Sequence, residues 1–221
     1  MTVMTLETVV PHLFASAPEA LPFAPSLEVR TFLLQRREGN LLLYSAGTLD
    51  DDAAAIEDLG GISRQYLNHR HEAMFGSDLL ADTLVVPLFV HREERASVEE
   101  RRRVRATFSQ RHMLEGDFEV IPTPGHTSGA TAYLWDSGDH RVLFTGDTVY
   151  LDDGEWVAAV LGSSDRAAYL QSLDLIRELD FGVLVPWAAS HGQPFHAATD
   201  GADARRRIDA IIGRLRRGED R

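Results

Sequence analysis

Residues 67–76 read Leu-Asn-His-Arg-His-Glu-Ala-Met-Phe-Gly, with His69 and His71 two positions apart at the end of a strand-like stretch. In a strand leaving for a loop, alternate residues face the same way, so both imidazoles are expected on one side and Arg70 on the other. Three further short segments carry groups of matching chemistry: His126 in Pro-Thr-Pro-Gly-His-Thr-Ser-Gly (122–129), Asp147 in Phe-Thr-Gly-Asp-Thr-Val-Tyr (144–150) and His191 in Ser-His-Gly-Gln-Pro (190–194). Each lies in turn-like sequence beside a glycine, where the backbone lets a side chain project. Three neutral imidazoles and a carboxylate make a shell for zinc or iron with a position left open for water.

Composition narrows the chemistry to that set. The 221 residues include no Cys, which excludes disulfides, thiolate nucleophiles, iron–sulfur clusters and Cys-based zinc sites, so any metal must be held by His and carboxylates. All 22 basic residues are Arg, which removes lysine-based covalent chemistry, and the net charge of -12 opposes a phosphate backbone. Nucleic acid is therefore not expected as a partner, and a small-molecule substrate is. The arginine clusters at Arg101, Arg102, Arg103 and Arg105, at Arg205 to Arg207 and at Arg214 to Arg217 read as solvated helix faces. Residues 1–10 hold no basic residue or long apolar run, and other apolar stretches are strand-length. Neither a signal peptide nor a membrane span is expected, and a cytoplasmic location is the default.

Along the chain, strands are expected at Thr8–Phe14, Glu28–Leu34 and Leu41–Ala46, with a turn at Gly39-Asn40. Ala17–Ser26 carries Pro18, Pro22 and Pro25 and reads as a loop or shallow lid that, with the segment between Val90 and Met113, frames the mouth of a site. Asp50, Asp51 and Asp52 open a helix running to Leu59 and closed by Gly60-Gly61. A strand at Gln65–Asn68, a helical segment at Phe75–Ala81 and a strand at Leu84–Val90 follow, then a charged, helix-prone stretch from Glu94 to Thr107. Strands at Phe118–Ile121, Ala130–Trp135 and Arg141–Thr145 come next, two of them separated by the turn at Asp136–Asp139. A helix from Asp165 to Leu179, with Ser163, Ser164 and Asp165 as its N-cap region, a strand at Val183–Val185 and a terminal helix with Ile208, Ile211, Ile212 and Leu215 on one face complete the chain. The halves repeat one plan, and a single domain over residues 1–221, with two sheets packed together and helices outside, is expected.

The His-Arg-His-Glu-Ala-Met-Phe-Gly segment resembles the H-x-H-x-D-H-x-G motif of the metallo-β-lactamase superfamily, and the segments around His126, Asp147 and His191 resemble its later motifs in order and spacing. The resemblance runs from about Thr8 to Pro194 and implies an α+β fold, a four-layer αββα sandwich with the site at the edge where the sheets meet. It also implies that His69, His71 and His126 hold a first metal and that Asp147 bridges to a second in binuclear members, where His191 is a further ligand. The Asp and final His of the first motif are Ala73 and Met74 here, and neither side chain replaces an oxygen or imidazole ligand. Rescue by Glu72 or Asp78 would need an altered backbone. One ion, zinc before iron, is therefore expected in preference to two.

The activity implied is hydrolysis of an ester, thioester or related small substrate by metal-activated water, with Asp147 orienting the nucleophile and His191 stabilising an oxyanion or protonating the leaving group. Two other classes stay open: a non-hydrolytic binding protein on a degenerate site, and a mononuclear iron dioxygenase acting on a sulfur substrate through His69, His126 and Asp147. Glu72 reads as a helix-start carboxylate, and Met74 and Phe75 as core residues. His12, His91, His112, His140 and His196 are assigned to surface or loop roles.

Overall fold

The computed structural model describes residues 6–73 and 86–220, apart from the side chains of residues 49–51. The helix expected at Phe75–Ala81, the beginning of the strand expected from Leu84, Asp78 and the packing of Met74 and Phe75 lie outside the described residues. The chain divides into two compact units, Met1–Phe108 and Ser109–Arg221.

In the first unit a seven-stranded sheet has the order β1 (Glu7–Val10), β2 (Leu13–Ala15), β5 (Phe32–Leu34), β6 (Leu41–Leu43), β7 (Arg64–Tyr66), β8 (Leu88–His91) and β9 (Val104–Phe108). The pairs from β1 to β6 are antiparallel and those from β6 to β9 are parallel. All three leucines of β6 are buried, as befits a strand covered on both faces. Leu42 packs with Leu6, Leu33, Ala55 and Ile56, the last two on α1 (Ala53–Asp58), which follows a 3-10 turn over Gly47–Asp52.

Several expectations change here. Thr8–Phe14 is a hairpin, because Pro11 and His12 form a turn in which His12 has a φ of 70°. Ala17–Ser26 is not a loop: β3 (Glu19–Leu21) pairs antiparallel with β4 (Ala24–Val29). The prolines are accommodated because Pro22 lies between the strands and Pro25 falls in the register shift between Ala20 and Leu21 partners, where no ladder bond is needed. The helix-prone stretch from Glu94 yields only α2 (Arg95–Glu99), and Val104–Phe108 is strand. Its alternating β-branched and aromatic residues pair with β8, so tertiary pairing overrides the charge pattern. Arg102 is correspondingly not on a solvated face. It is buried and donates to Gln65 Oε1 at 2.8 Å, while Gln65 Nε2 donates to the Tyr44 carbonyl at 2.8 Å.

The second unit has a six-stranded sheet in the order β10 (His112–Leu114), β11 (Phe118–Pro122), β12 (Thr131–Asp136), β13 (Arg141–Gly146), β16 (Val183–Pro186) and β18 (Ala197–Ala198). Antiparallel pairing carries the chain to β13, and β13 pairs parallel with β16. The hairpin β14 (Tyr150–Asp152) and β15 (Glu155–Val157), with β17 (Ala188–Ser190) parallel to β14, was not anticipated, since its strands are only three residues long. The crossover to β16 contains α3 (Arg166–Arg177), capped by Asp165 Oδ1, which accepts from Ala167 and Ala168 N–H groups at 2.9 and 3.0 Å. The last helix, α4 (Gly201–Arg216), buries Ile208, Ile211, Ile212 and Leu215 as its spacing requires, each contributing about 1.5–3 kcal/mol of apolar burial. Arg205 and Arg206 on its other side are well exposed.

The Gly39-Asn40 turn shows how side chains fix this framework. Buried Asn40 accepts from the Arg36 N–H through Oδ1 at 3.0 Å and donates through Nδ2 to the Leu59 and Gly61 carbonyls at 3.0 and 2.9 Å, joining the β5–β6 turn to the end of α1. Asn40→Ala is expected to cost about 2–4 kcal/mol, since it removes three hydrogen bonds at a buried position. Urea unfolding should show a lower midpoint at an unchanged slope.

Candidate metal centre

In the first unit, residues 70–73 form a 3-10 turn three residues after the end of β7. Strand alternation is therefore not what brings His69 and His71 together. The turn does so, leaving the two rings 4.9 Å apart between centroids and nearly perpendicular. Arg70 faces elsewhere, as expected, and is clamped by Glu94: its backbone N–H, Nε and Nη2 all donate to that buried carboxylate, at 2.9, 2.7 and 3.0 Å. His69 is fully buried and His71 half-buried.

Glu72 is the residue that sequence reasoning underrated. It is fully buried, and its Oε1 accepts from the Asn68 N–H at 2.8 Å, the His69 N–H at 3.1 Å and the His69 Nδ1 at 3.1 Å. A carboxylate accepting from Nδ1 places the ring proton there and leaves the lone pair of a neutral imidazole on Nε2. The only available signal was three-residue spacing from His69, which is common at helix starts. Ala73, which stands where the family motif has Asp, packs in a cluster with Leu67, Leu88, Val90, Val98 and Val104. That position belongs to the hydrophobic core.

In the second unit, β11 delivers the chain into the His126 loop and α3 holds it from behind. Ser164 Oγ donates to the His126 carbonyl at 3.1 Å, the Asp165 N–H to the Gly125 carbonyl at 2.9 Å and Ser172 Oγ to the Pro124 carbonyl at 2.7 Å. Ser164 and Asp165 thus secure the loop as well as the helix start. Gly125, at φ 148°, lies so close to Tyr169 that a Cβ would sit 2.5 Å from the Tyr169 Cα. His126 is buried, and its Nδ1 donates to the Ala159 carbonyl at 2.6 Å. A carbonyl only accepts, so the proton is on Nδ1 and the Nε2 lone pair is directed elsewhere.

Asp147 follows Gly146, the last residue of β13, whose φ of 55° turns the chain sharply. Its Oδ2 is 3.6 Å from His126 Nε2. That is too long for a hydrogen bond and close to the separation of about 3.3 Å expected between two ligands of one tetrahedral ion with bonds near 2.0–2.1 Å. Tyr169 ties these parts together. Its hydroxyl lies 2.9 and 2.8 Å from the Asp147 and Thr148 carbonyls and 3.1 Å from the Ala159 N–H, so one phenol braces both the Asp147 turn and the residue that orients His126. His191 is exposed on the turn after β17, whose Ser190 Oγ bonds Asp152 and the Asp153 N–H.

Of the other histidines, His91 departs from its assignment. It is buried at the end of β8, accepts from the Glu93 N–H at 3.3 Å and lies edge-on to Phe108. His12 and His112 are exposed.

Solved structures of several metallo-beta-lactamases resemble this chain. DIM-1 metallo-beta-lactamase exposed to ceftazidime has a TM-score of 0.73 at 14% identity, over 94% of this chain and 95% of that one. A metallo-beta-lactamase family protein from Thermus thermophilus gives 0.64 at 21% identity, over 95% and 81%, and the metallo-beta-lactamase from Pontibacter korlensis 0.67 at 14%, over 96% and 98%. The fold is therefore the α+β metallo-β-lactamase fold, and the αββα expectation is met at the level of fold class. The metallo-beta-lactamase superfamily model matches residues 67–188, more than half of the chain and the first three motifs, stopping just short of the His191 segment, and the chain belongs to that superfamily. No curated protein matches it in sequence.

Burial pushes the Tyr169 phenol well above its ordinary value near 10, and the neighbouring Asp147 charge adds to this. The folded state keeps a proton that the unfolded chain releases, so this stabilisation is complete below about pH 10 and is lost as pH rises beyond it. Absorbance titration at 295 nm should show a tyrosine component that ionises only as the protein unfolds in alkali, and Tyr169→Phe should reduce that component by one tyrosine equivalent. The same substitution is expected to cost about 1–3 kcal/mol at neutral pH.

Proposed function

We propose that this chain is a metal-dependent hydrolase that works with one ion, zinc before iron, held by the Nε2 atoms of His69 and His126 and a ring nitrogen of His71, with Asp147 beside it. The observation that carries the reading is the pair of committed Nδ1 atoms, His69 on Glu72 and His126 on Ala159. Metal-binding histidines characteristically donate their second ring nitrogen to a carboxylate or backbone carbonyl, and both partners occur here. His69, His71 and His126 form the candidate metal-holding group among the described residues. The donors fit an ion: neutral imidazoles and a carboxylate suit zinc or iron, whereas Ala73 in the core contributes nothing to a second site.

An ion held there supplies Lewis acidity and lowers the pKa of water to about 7. Asp147, fixed through its own carbonyl by Tyr169, is assigned to orient the attacking water and accept its proton. His191, exposed and lacking the companions of a second metal site, is assigned to substrate, as donor to the leaving group. The substrate is a small molecule with an ester, thioester or related bond, and the place of work is the cytoplasm. Among the described residues no helix is long and apolar enough to cross a membrane.

Elemental analysis of the purified protein should give close to one equivalent of zinc. Hydrolysis of a panel of esters and thioesters should disappear with a chelator and return with added zinc. His126→Ala should reduce metal affinity by more than the 10–100-fold typical of an outer partner. Activity indifferent to metal removal overturns the proposal, as does a protein isolated and reconstituted without any bound ion. One equivalent of iron, with oxygen uptake on persulfides, would replace hydrolysis by the dioxygenase reading.

A further inference from the structure

We infer that Glu72 is a positioning residue for His69, a carboxylate that fixes its tautomer and aim, and that it is not itself a metal ligand. The inference rests on the one-ion reading of the site and adds to it a residue outside the ligand set.

A free carboxylate near a cation tends to become a ligand, so its other commitments decide its role. Glu72 Oε1 takes three donors from its own loop, the backbone N–H groups of Asn68 and His69 and the ring Nδ1 of His69. The two backbone bonds point the carboxylate back into the turn that carries it, and full burial of both residues keeps water from competing. The third bond passes that fixed orientation to the imidazole. A ring held at Nδ1 cannot rotate to present that atom to a cation, and the negative partner raises the basicity of the opposite nitrogen.

The adjacent position supports this division of labour. Ala73 ends the same 3-10 turn inside the Leu67, Leu88, Val90, Val98 and Val104 cluster, so the turn is anchored by apolar packing on one side of Glu72. On the other side the Arg70 guanidinium and backbone are gripped by Glu94. Two buried glutamates thus hold a four-residue turn: Glu94 fixes its start and Glu72 aims the imidazole before it. The acidic residue of the motif region in this chain orients a ligand.

Glu72→Gln keeps an oxygen acceptor for the two backbone N–H groups and removes the negative partner of the ring. Relative to the wild type, its apoprotein should unfold at nearly the same urea concentration. Zinc affinity, measured by competition with a chelating indicator, should fall about 10–100-fold, and the visible spectrum of the cobalt-substituted protein should shift. Unchanged affinity and an unchanged cobalt spectrum in a folded Glu72→Gln protein overturn the inference while the one-ion reading stands. Failure of the wild type to bind zinc overturns that reading first. A second measurement does not depend on the variant folding. Long-range proton–nitrogen correlation of the zinc-loaded wild type should show His69 protonated at Nδ1 with Nε2 bound to metal. Metal on Nδ1, or loss of a carboxylate oxygen from the zinc shell in Glu72→Gln, contradicts a positioning role.

Discussion

A neutral imidazole has one proton and one lone pair in its ring plane, and whatever receives the proton decides where the lone pair points. In this chain two histidines have that choice made by the protein. Glu72 takes the Nδ1 proton of His69, and the Ala159 carbonyl takes that of His126. Much of the surrounding structure serves these two bonds. The Glu94 clamp on Arg70 and the burial of Ala73 hold the turn that carries Glu72, and the Tyr169 hydroxyl meets the N–H of the residue whose carbonyl receives His126. The same hydroxyl bonds the Asp147 carbonyl, so in the second unit the proposed ligand His126 and the proposed base share one brace.

The surroundings of position 73 suit the alanine found there and not the carboxylate of the motif. A charged side chain there would have to be hydrated or paired, and the cluster around Ala73 consists of leucine and valine. The neighbouring glutamate is also buried, but with backbone and ring donors around one oxygen. The turn thus carries a buried carboxylate that accepts from the His69 ring, and an apolar side chain where the motif has its carboxylate.

Those elements that depend on local chemistry were legible in the sequence. The Gly39-Asn40 turn, the Asp165 cap and the apolar face of the last helix follow from neighbouring residues, and His69, His71 and His126 stood out as a candidate metal-holding group from turn chemistry and motif order. Elements set by distant partners were not. The strand at Val104–Phe108 looks helix-prone until it pairs with Leu88–His91, and Arg102 looks solvated until Gln65 receives it. Prolines at 22 and 25 read as loop because a register shift that tolerates them is invisible without the partner strand. Tyr169 carries no signal of its own within the helix expected at Asp165–Leu179, and Glu72 reads as a helix-start acid. Their roles come from which groups lie about 3 Å away.

X-ray absorption at the zinc edge of the stoichiometrically loaded protein tests the central claim most directly. One ion bound by imidazoles oriented in this way should show a first shell of nitrogen and oxygen donors near 2.0–2.1 Å, with outer-shell scattering from about three imidazole rings. No metal–metal scattering should appear at about 3.5–4 Å. A shell with one imidazole or none, or a clear metal–metal distance in that range, would contradict the account.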